Sequence, residues 1–224
     1  MAVSAGVKRY ESLKRRQRLE RPQFNTALAL RVHRSLSWYH AAVLTEHDLD
    51  TQFITLWIAF NSAYAQNASN AISGSETATF KQFVGTLVDL DQQQRLYDLV
   101  WVEYPRTLRL ILDNHYIFKH FWRYVQGECT EAIWKERFRT ANVAARRAIE
   151  KQDTKKILSI VLSRLYVLRN QILHGGATWN GKTNRSQLRS ATGFLLSLMP
   201  CVIDILMEFP QHPWPTPLFP VIDE

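Results

Sequence analysis

Apolar residues recur at intervals of three and four positions along most of this chain, which is the spacing of one face of an α-helix. Between residues 24 and 44 the repeat runs through Leu28, Val32, Leu36, Tyr39 and Val43. The same analysis predicts helices over residues 24–44, from about 48 to 66, and over 79–90, 92–103, 106–114, 115–126, 130–150, 154–173 and 185–208.

Strand-like alternation of apolar and polar residues bounded by turn signals is hard to find. The polar, small-residue stretch Asn67–Ala78 predicts a loop, and the tail from Pro210 carries five of the eight prolines and is expected to be extended. We therefore predict an all-α helical bundle. It has a basic N-terminal arm or helix (residues 1–21), a single helical domain (22–209) and a Pro-rich extended tail (210–224).

The charge is uneven along the chain. The net charge is +8, and residues 1–21 hold seven Lys and Arg residues against two Glu residues. A cluster of this kind attracts phosphates, although a solvated arm has the same composition. The basic residues that we consider for binding RNA are Lys14, Arg15, Arg16, Lys182 and Arg185.

Two cysteines, Cys129 and Cys201, lie far apart and outside any paired motif, which favours a reducing compartment. The first residues lack the apolar core of a secretory signal, and no window of about 18 consecutive apolar residues predicts a membrane span. From these features we expect a cytoplasmic protein that is not in a membrane.

The helix predicted over residues 154–173 is apolar on several sides, as expected for a helix surrounded by protein. Its end nevertheless carries Arg169, Asn170 and His174, within LYVLRNQILHGG. Burying an arginine costs several kcal/mol unless it is paired or reaches water, so this position predicts either a structural carboxylate or a polar pocket.

Tyr166, Asn170 and His174 are spaced by four residues and share one helical face. Arg169 and His174 are separated by about 140° around the axis and about 7.5 Å along it, so they point apart on one straight helix. They converge only if the helix unwinds at the glycines that follow, or if a second copy supplies the partner group.

The segment RNQILHG at a helix end resembles the signature of the HEPN superfamily, and LWIAFNSAY is similar to a motif of its Apea-like branch. The resemblance spans most of residues 48–208. It implies an up-and-down helical core with additional helices, and a homodimer with a composite site. It also implies catalytic Arg169 and His174 with Asn170 as their polar neighbour, and supporting roles for Asn61 and Tyr166.

Many HEPN domains are ribonucleases in toxin or phage-defence systems. The resemblance implies a metal-independent endoribonuclease that needs no cofactor, cleaves RNA to 2′,3′-cyclic phosphate ends, and is held in check by an antitoxin or regulatory protein. Some members of the superfamily bind without cutting. A non-catalytic dimeric module that binds RNA, a nucleotide or a protein partner therefore remains the alternative.

Each of these residues also has a structural interpretation. Arg169 can belong to a buried ion pair, His174 can cap its helix, and Asn61 can satisfy neighbouring backbone groups. His115 and His120, with Phe118 and Trp122, suggest a metal or base-stacking site. Packing explains them more simply, because their spacing is not that of helical metal ligands.

Overall fold

The chain is an all-α protein in the computed structural model. It is 78% helical, and no β-strand occurs among the described residues, which are 4–65, 76–182 and 184–219. This confirms the predicted fold class. The chain divides into two compact units, one formed by Met1–Gln93 with Thr192–Glu224 and the other by Gln94–Ala191.

The first unit contains helices α1 (Ala5–Glu20), α2 (Thr26–Leu44), α3 (Leu49–Tyr64) and α4 (Glu76–Leu90). Side-chain oxygens cap three of these helices, from Ser4, Asn25 and Asp48, each accepting from a backbone N–H in the first turn. Helices α2 and α3 pack against each other along the periodic face predicted from the sequence. Its members Leu28, Val32, Leu36, Phe53, Trp57 and Phe60 are at most 1% exposed.

The basic N-terminal segment is a packed helix. Helix α1 buries Leu13 and Gln17, while Arg9 and Arg16 both bind the carboxylate of Asp204 at 2.6 and 2.9 Å. These contacts hold Arg9 and Arg16 against the first unit, while Lys8, Arg15 and Arg18 are not buried.

The tail is held in the first unit by arginine. Arg31, which is 1% exposed, donates to the carbonyl oxygens of Pro215 and Ala63 at 2.9 and 2.6 Å. Trp214 packs its ring 6.1 Å from that of Phe83. The tail from residue 210 contains no helix as far as residue 219, and it begins with a turn at 210–212 where an extended chain was predicted.

The second unit contains α5 (Arg95–Asp98), a π-helical turn (Leu99–Glu103), α6 (Pro105–Asp113), a 3₁₀ turn (His115–Ile117), α7 (Lys119–Val125), α8 (Glu131–Glu150) and α9 (Thr154–Leu173). Its core combines Leu108, Ile111 and Leu112 of α6 with the inner face of α9.

Helix α10 (Arg185–Glu208) begins in the second unit and continues into the first. It is long and apolar enough to cross a membrane by length and composition alone, but 72% of that window is buried within the protein. Core helices of soluble proteins pass the same test.

The long helices α9 and α10 agree with the sequence prediction, and the short α6 does so to within one residue, whereas two other segments differ. Both ends of α9 and α10 are as predicted. In contrast, the predicted helix over 92–103 is a short α-helix followed by a π turn, and the one over 115–126 is a 3₁₀ turn followed by α7. Most of the loop predicted over Asn67–Ala78 lies outside the described residues, and α4 begins at Glu76, before the predicted start at Thr79.

Candidate functional site

The candidate site lies at the carboxyl end of α9. This helix begins at the cap Asp153, whose carboxylate accepts from the Lys156 N–H at 2.9 Å, and runs without interruption to Leu173. The last turn differs from the expectation of a helix surrounded by protein. Leu168 is buried, whereas Ile172 is half-buried and Leu173 is exposed.

Two glycines close the end of α9. The N–H of Gly176 donates to the carbonyl of Gln171 at 2.7 Å, and that of Gly175 to the carbonyl of Ile172 at 3.2 Å. This is the hydrogen-bond pattern of a Schellman motif. Gly175 has a positive φ of 72°, and a Cβ on Gly176 would lie 2.9 Å from the Gln171 carbonyl oxygen. Both positions therefore favour glycine.

Arg169 is half-buried, and its guanidinium is held by residues of its own helix. Nη1 donates to Asn170 Oδ1 at 2.9 Å, and the guanidinium carbon lies 5.7 Å from the centre of the Tyr166 ring. Its Nε is buried without a hydrogen-bond partner in the described part of the chain. Arg169, Asn170 and Tyr166 therefore form one cluster.

No carboxylate neutralises Arg169 among the described residues. The prediction of a buried arginine on α9 applies instead to Arg164, which sequence reasoning missed. Arg164 is 4% exposed and places its guanidinium carbon 4.3 Å from the Phe118 ring centre. Burial lowers the pKa of Arg164 to about 10, although Asp113 opposes this shift.

His174 is the C-cap residue of α9 and its side chain is exposed. Its backbone N–H donates to the Asn170 carbonyl at 3.0 Å. The imidazole forms no hydrogen bond to any described residue, so the cap is made by the backbone and the ring is available to a ligand.

Arg169 and His174 of one chain do not hydrogen-bond to each other within the described structure. The helix stays regular through Arg169 and closes in the Schellman motif, so unwinding at the glycines does not bring the pair together. Of the two routes to convergence, the one that remains is a second copy of the chain.

Gln171, which the sequence analysis did not single out, fixes this helix end. Its Nε2 donates to the Tyr116 carbonyl at 2.6 Å, and its Oε1 accepts from Asn184 Nδ2 at 3.2 Å. It thereby joins α9 to the 3₁₀ turn before α7 and to the residue before α10. The only sequence signal was a second amide side chain directly after Asn170, near the end of the helix.

The remaining candidates lie elsewhere. Asn61 lies on α3 in the first unit, where its Oδ1 is buried with no partner among the described residues. In the loop after α9, Lys182 is exposed, and Arg185 donates to Asn180 Oδ1 at 2.6 Å.

The basic candidates on α1 differ in their surroundings. Arg15 is exposed and Lys14 is half-buried, with its Nζ donating to Gln17. Arg16 is engaged by the carboxylates of Glu20 and Asp204.

The described residues contain no group of three or more His, Cys, Asp or Glu side chains placed to hold a metal ion. A scan against protein-family models, a search of curated proteins and a search of solved structures each found no significant match.

Proposed function

We propose that this chain is a metal-independent endoribonuclease of the HEPN type, acting as a cytoplasmic homodimer in a toxin or antiviral defence role. The observation that supports the proposal is that one helix end carries both the exposed imidazole of His174 and the guanidinium of Arg169, which no described carboxylate neutralises. In the RNQILHG segment, these are the two residues that the resemblance makes catalytic.

The residue types suit cleavage of a phosphodiester. The His174 imidazole takes the proton of a ribose 2′-hydroxyl as the 2′-oxygen attacks phosphorus. The bond to the 5′-oxygen breaks, and that oxygen leaves with a proton from the second imidazole of the dimer or from water. The products are a 2′,3′-cyclic phosphate and a 5′-hydroxyl.

Arg169 stabilises the charge on the phosphate oxygens in the transition state. A guanidinium stays protonated at neutral pH and presents several N–H donors in one plane, which matches the phosphate group. Asn170 Oδ1 accepts from Arg169 Nη1 at 2.9 Å and so orients the guanidinium, leaving its other N–H groups for the substrate. The role of Asn170 is therefore one of positioning.

A second candidate function follows from the separation of the two groups. Because Arg169 and His174 diverge on one helix, a chain that stays monomeric lacks a complete site. A monomeric mass in solution would therefore exclude the nuclease. The second candidate is a non-catalytic dimeric module that binds RNA, a nucleotide or a protein partner, and a dimer that binds RNA without cutting it would favour that candidate.

The test of the nuclease is incubation of the purified protein with RNA and with DNA of the same sequence in EDTA, followed by analysis of the product ends. We expect RNA but not DNA to be cut, with cyclic phosphate and 5′-hydroxyl ends. His174→Ala is expected to lower the rate by at least about 100-fold while leaving the unfolding curve unchanged.

His47→Ala is the matched control, because His47 is also an exposed histidine but lies in the other unit. It is expected to cut at the wild-type rate. Wild-type cutting by His174→Ala, or 5′-phosphate products, would remove His174 from the mechanism.

A further inference from the structure

The segment from His115 to Phe138, which we call the aromatic hairpin, concentrates aromatic side chains on α7 and the first half of α8. None of its Phe, Tyr and Trp residues is buried, and Tyr116 and Tyr124 are 46% and 37% exposed. In the first unit, by contrast, Phe53 and Phe60 are fully buried. Exposed aromatic residues also occur singly elsewhere, such as Trp38 and Trp179, whereas in this hairpin they lie close together.

The rings of the hairpin form a connected group. Trp134 lies 5.3 Å from Phe121, 6.1 Å from Tyr124 and 6.3 Å from Phe138, measured between ring centres. Aliphatic neighbours are exposed too, with Ile133 and Val125 at 44% and 56%. An exposed apolar patch of this kind indicates an interaction surface.

Cations surround the rings. Arg123, Lys135 and Arg139 are paired with Glu128, Glu131 and Glu136, all of them at exposed positions where such pairs contribute little. Lys119, Arg137 and Arg146 have no carboxylate partner in the described residues. A groove of about 310 Å³ is lined by Trp134 and Phe138 together with Lys135, Arg139 and Arg146.

The pKa of His120 is affected by the same positive charges. Burial lowers its pKa, and the charges of Arg137, Arg123 and Lys119 lower it further. Arg137 Nη1 lies 3.3 Å from His120 Nε2, and a guanidinium can only donate, so this contact requires Nε2 without a proton.

The hairpin is joined to the end of α9 through one carbonyl group. The Tyr116 oxygen accepts from Gln171 Nε2 and from Trp122 Nε1, each at 2.6 Å. Gln171 directly follows Asn170, so the aromatic surface starts beside the proposed cleavage site within the same unit.

We infer that the aromatic hairpin binds single-stranded RNA, with bases stacked on its exposed rings and the backbone along its cations. This inference rests on the proposed function, for which it names the substrate class. Stacking on aromatic rings combined with a basic groove is the usual way in which proteins hold single strands without reading sequence. Paired bases in a duplex do not offer their faces to such rings.

The charge distribution favours this occupant over a second copy of the chain. Two hairpins brought face to face would place Lys119 and Arg137 of both copies, with Arg146 of the adjoining groove, in one interface without a described acidic partner. A polyanion gains from the same charges by releasing counterions.

The experiment measures binding of fluorescently labelled oligouridylate of about 12 nucleotides, and of a duplex RNA of equal length, by anisotropy at several salt concentrations. It uses the full chain carrying His174→Ala, so that the probe is not cut. Tyr116→Ala combined with Tyr124→Ala is expected to weaken single-strand binding by about tenfold or more. Trp38→Ala, at a 40% exposed Trp in the first unit, is the control and should bind as before.

Arg137→Gln with Arg146→Gln is expected to reduce the slope of log affinity against log salt by about 1.4, which corresponds to two lost phosphate contacts. Three results would overturn the inference. The first is duplex RNA binding as tightly as single-stranded RNA. The second is an unchanged affinity for oligouridylate in the tyrosine variant. The third is a tyrosine variant that no longer forms the wild-type dimer but binds RNA as before.

Failure of this inference is distinguishable from failure of the nuclease. If the wild-type protein cuts RNA, and the tyrosine substitutions change neither binding in the His174→Ala chain nor cutting in the wild-type chain, only the hairpin assignment is wrong. If the wild type cuts no RNA but oligouridylate binds through the tyrosines, the hairpin assignment stands and the nuclease does not.

Discussion

Two arginines five residues apart on α9 occupy opposite environments. Arg164 is buried between aromatic rings, with its guanidinium carbon 4.3 and 5.3 Å from the Phe118 and Phe138 ring centres, and its Nη1 has no hydrogen-bond partner in the described chain. Arg169 is half-buried and held by a neighbouring amide. The two residues are of the same type and lie on the same helix, so the sequence did not distinguish them. Their environments differ because the aromatic residues around α7 and α8 pack over Arg164.

Replacing Arg164 tests whether its charge or its volume stabilises the second unit. A buried charge with incomplete partners costs desolvation, so Arg164→Met is expected to keep or raise the free energy of unfolding. Arg164→Ala leaves a cavity and is expected to lower it by about 2–4 kcal/mol. Urea unfolding of both variants measures this. Equal losses for Met and Ala would instead show that the charge over the rings is net stabilising.

His120 predicts a pH dependence of stability. Burial first, and then Arg137, Arg123 and Lys119, lower its pKa in the folded protein, so the unfolded chain binds this proton at a higher pH than the folded chain does. The free energy of unfolding should therefore fall as the pH drops from about 7 through the ordinary histidine pKa of about 6.5.

His120→Gln should flatten that fall, measured by urea unfolding at several pH values. His174→Ala is the comparison, because the exposed His174 ring has no described partner. A pH profile that His120→Gln leaves unchanged would contradict the assignment.

Helices α9 and α10 were predictable, and so was the short α6 to within one residue, whereas the segments 92–103 and 115–126 were not. Over α9 and α10 the apolar repeat persists for five turns or more, and caps such as Asp153 and the Gly175–Gly176 pair mark the ends. The segments 92–103 and 115–126 hold too few turns for a repeat, so tertiary contacts decide their geometry. One such contact is the bond from Trp101 Nε1 to Thr154 Oγ1 at 2.9 Å.

The glycine pair after α9 allows a matched test of the helix end. Gly175→Ala meets nothing within 4 Å but must keep a φ of 72°, which costs about 1 kcal/mol of stability. Gly176→Ala forces its Cβ against the Gln171 carbonyl and shifts the backbone that presents His174. We expect Gly176→Ala to lose more RNA cleavage than Gly175→Ala at similar stability.

Gly85 in α4 is the control for the effect of a Cβ itself. It has a negative φ and nothing within 4 Å, so Gly85→Ala should raise stability by up to about 1 kcal/mol and leave cleavage unchanged. Cleavage by Gly176→Ala at the wild-type rate would show that the geometry of this turn does not matter to the site.

At the scale of the molecule, the sequence predicted an all-α fold, and that prediction is confirmed. The division into two compact units was not foreseen, because no Pro- or Gly-rich linker marks the boundary at Gln93–Gln94 and α10 runs across the second boundary. Such a division depends on which helices pack together, and the apolar repeat along the sequence does not contain that information. The candidate residues Arg169, Asn170 and His174 could be proposed from their types and order in the sequence. Because Arg169 and His174 point apart on one helix, a complete site requires a second copy of the chain.

The most direct test is the rate of RNA cleavage in EDTA by Arg169→Ala, by His174→Ala and by an equal mixture of the two after subunit exchange. Each variant alone should be inactive. The mixture should regain up to about a quarter of the wild-type rate, because half of its dimers keep one complete pair of groups from two copies. Activity in either variant alone, or a mixture as inactive as its components, would contradict a shared site built from two chains.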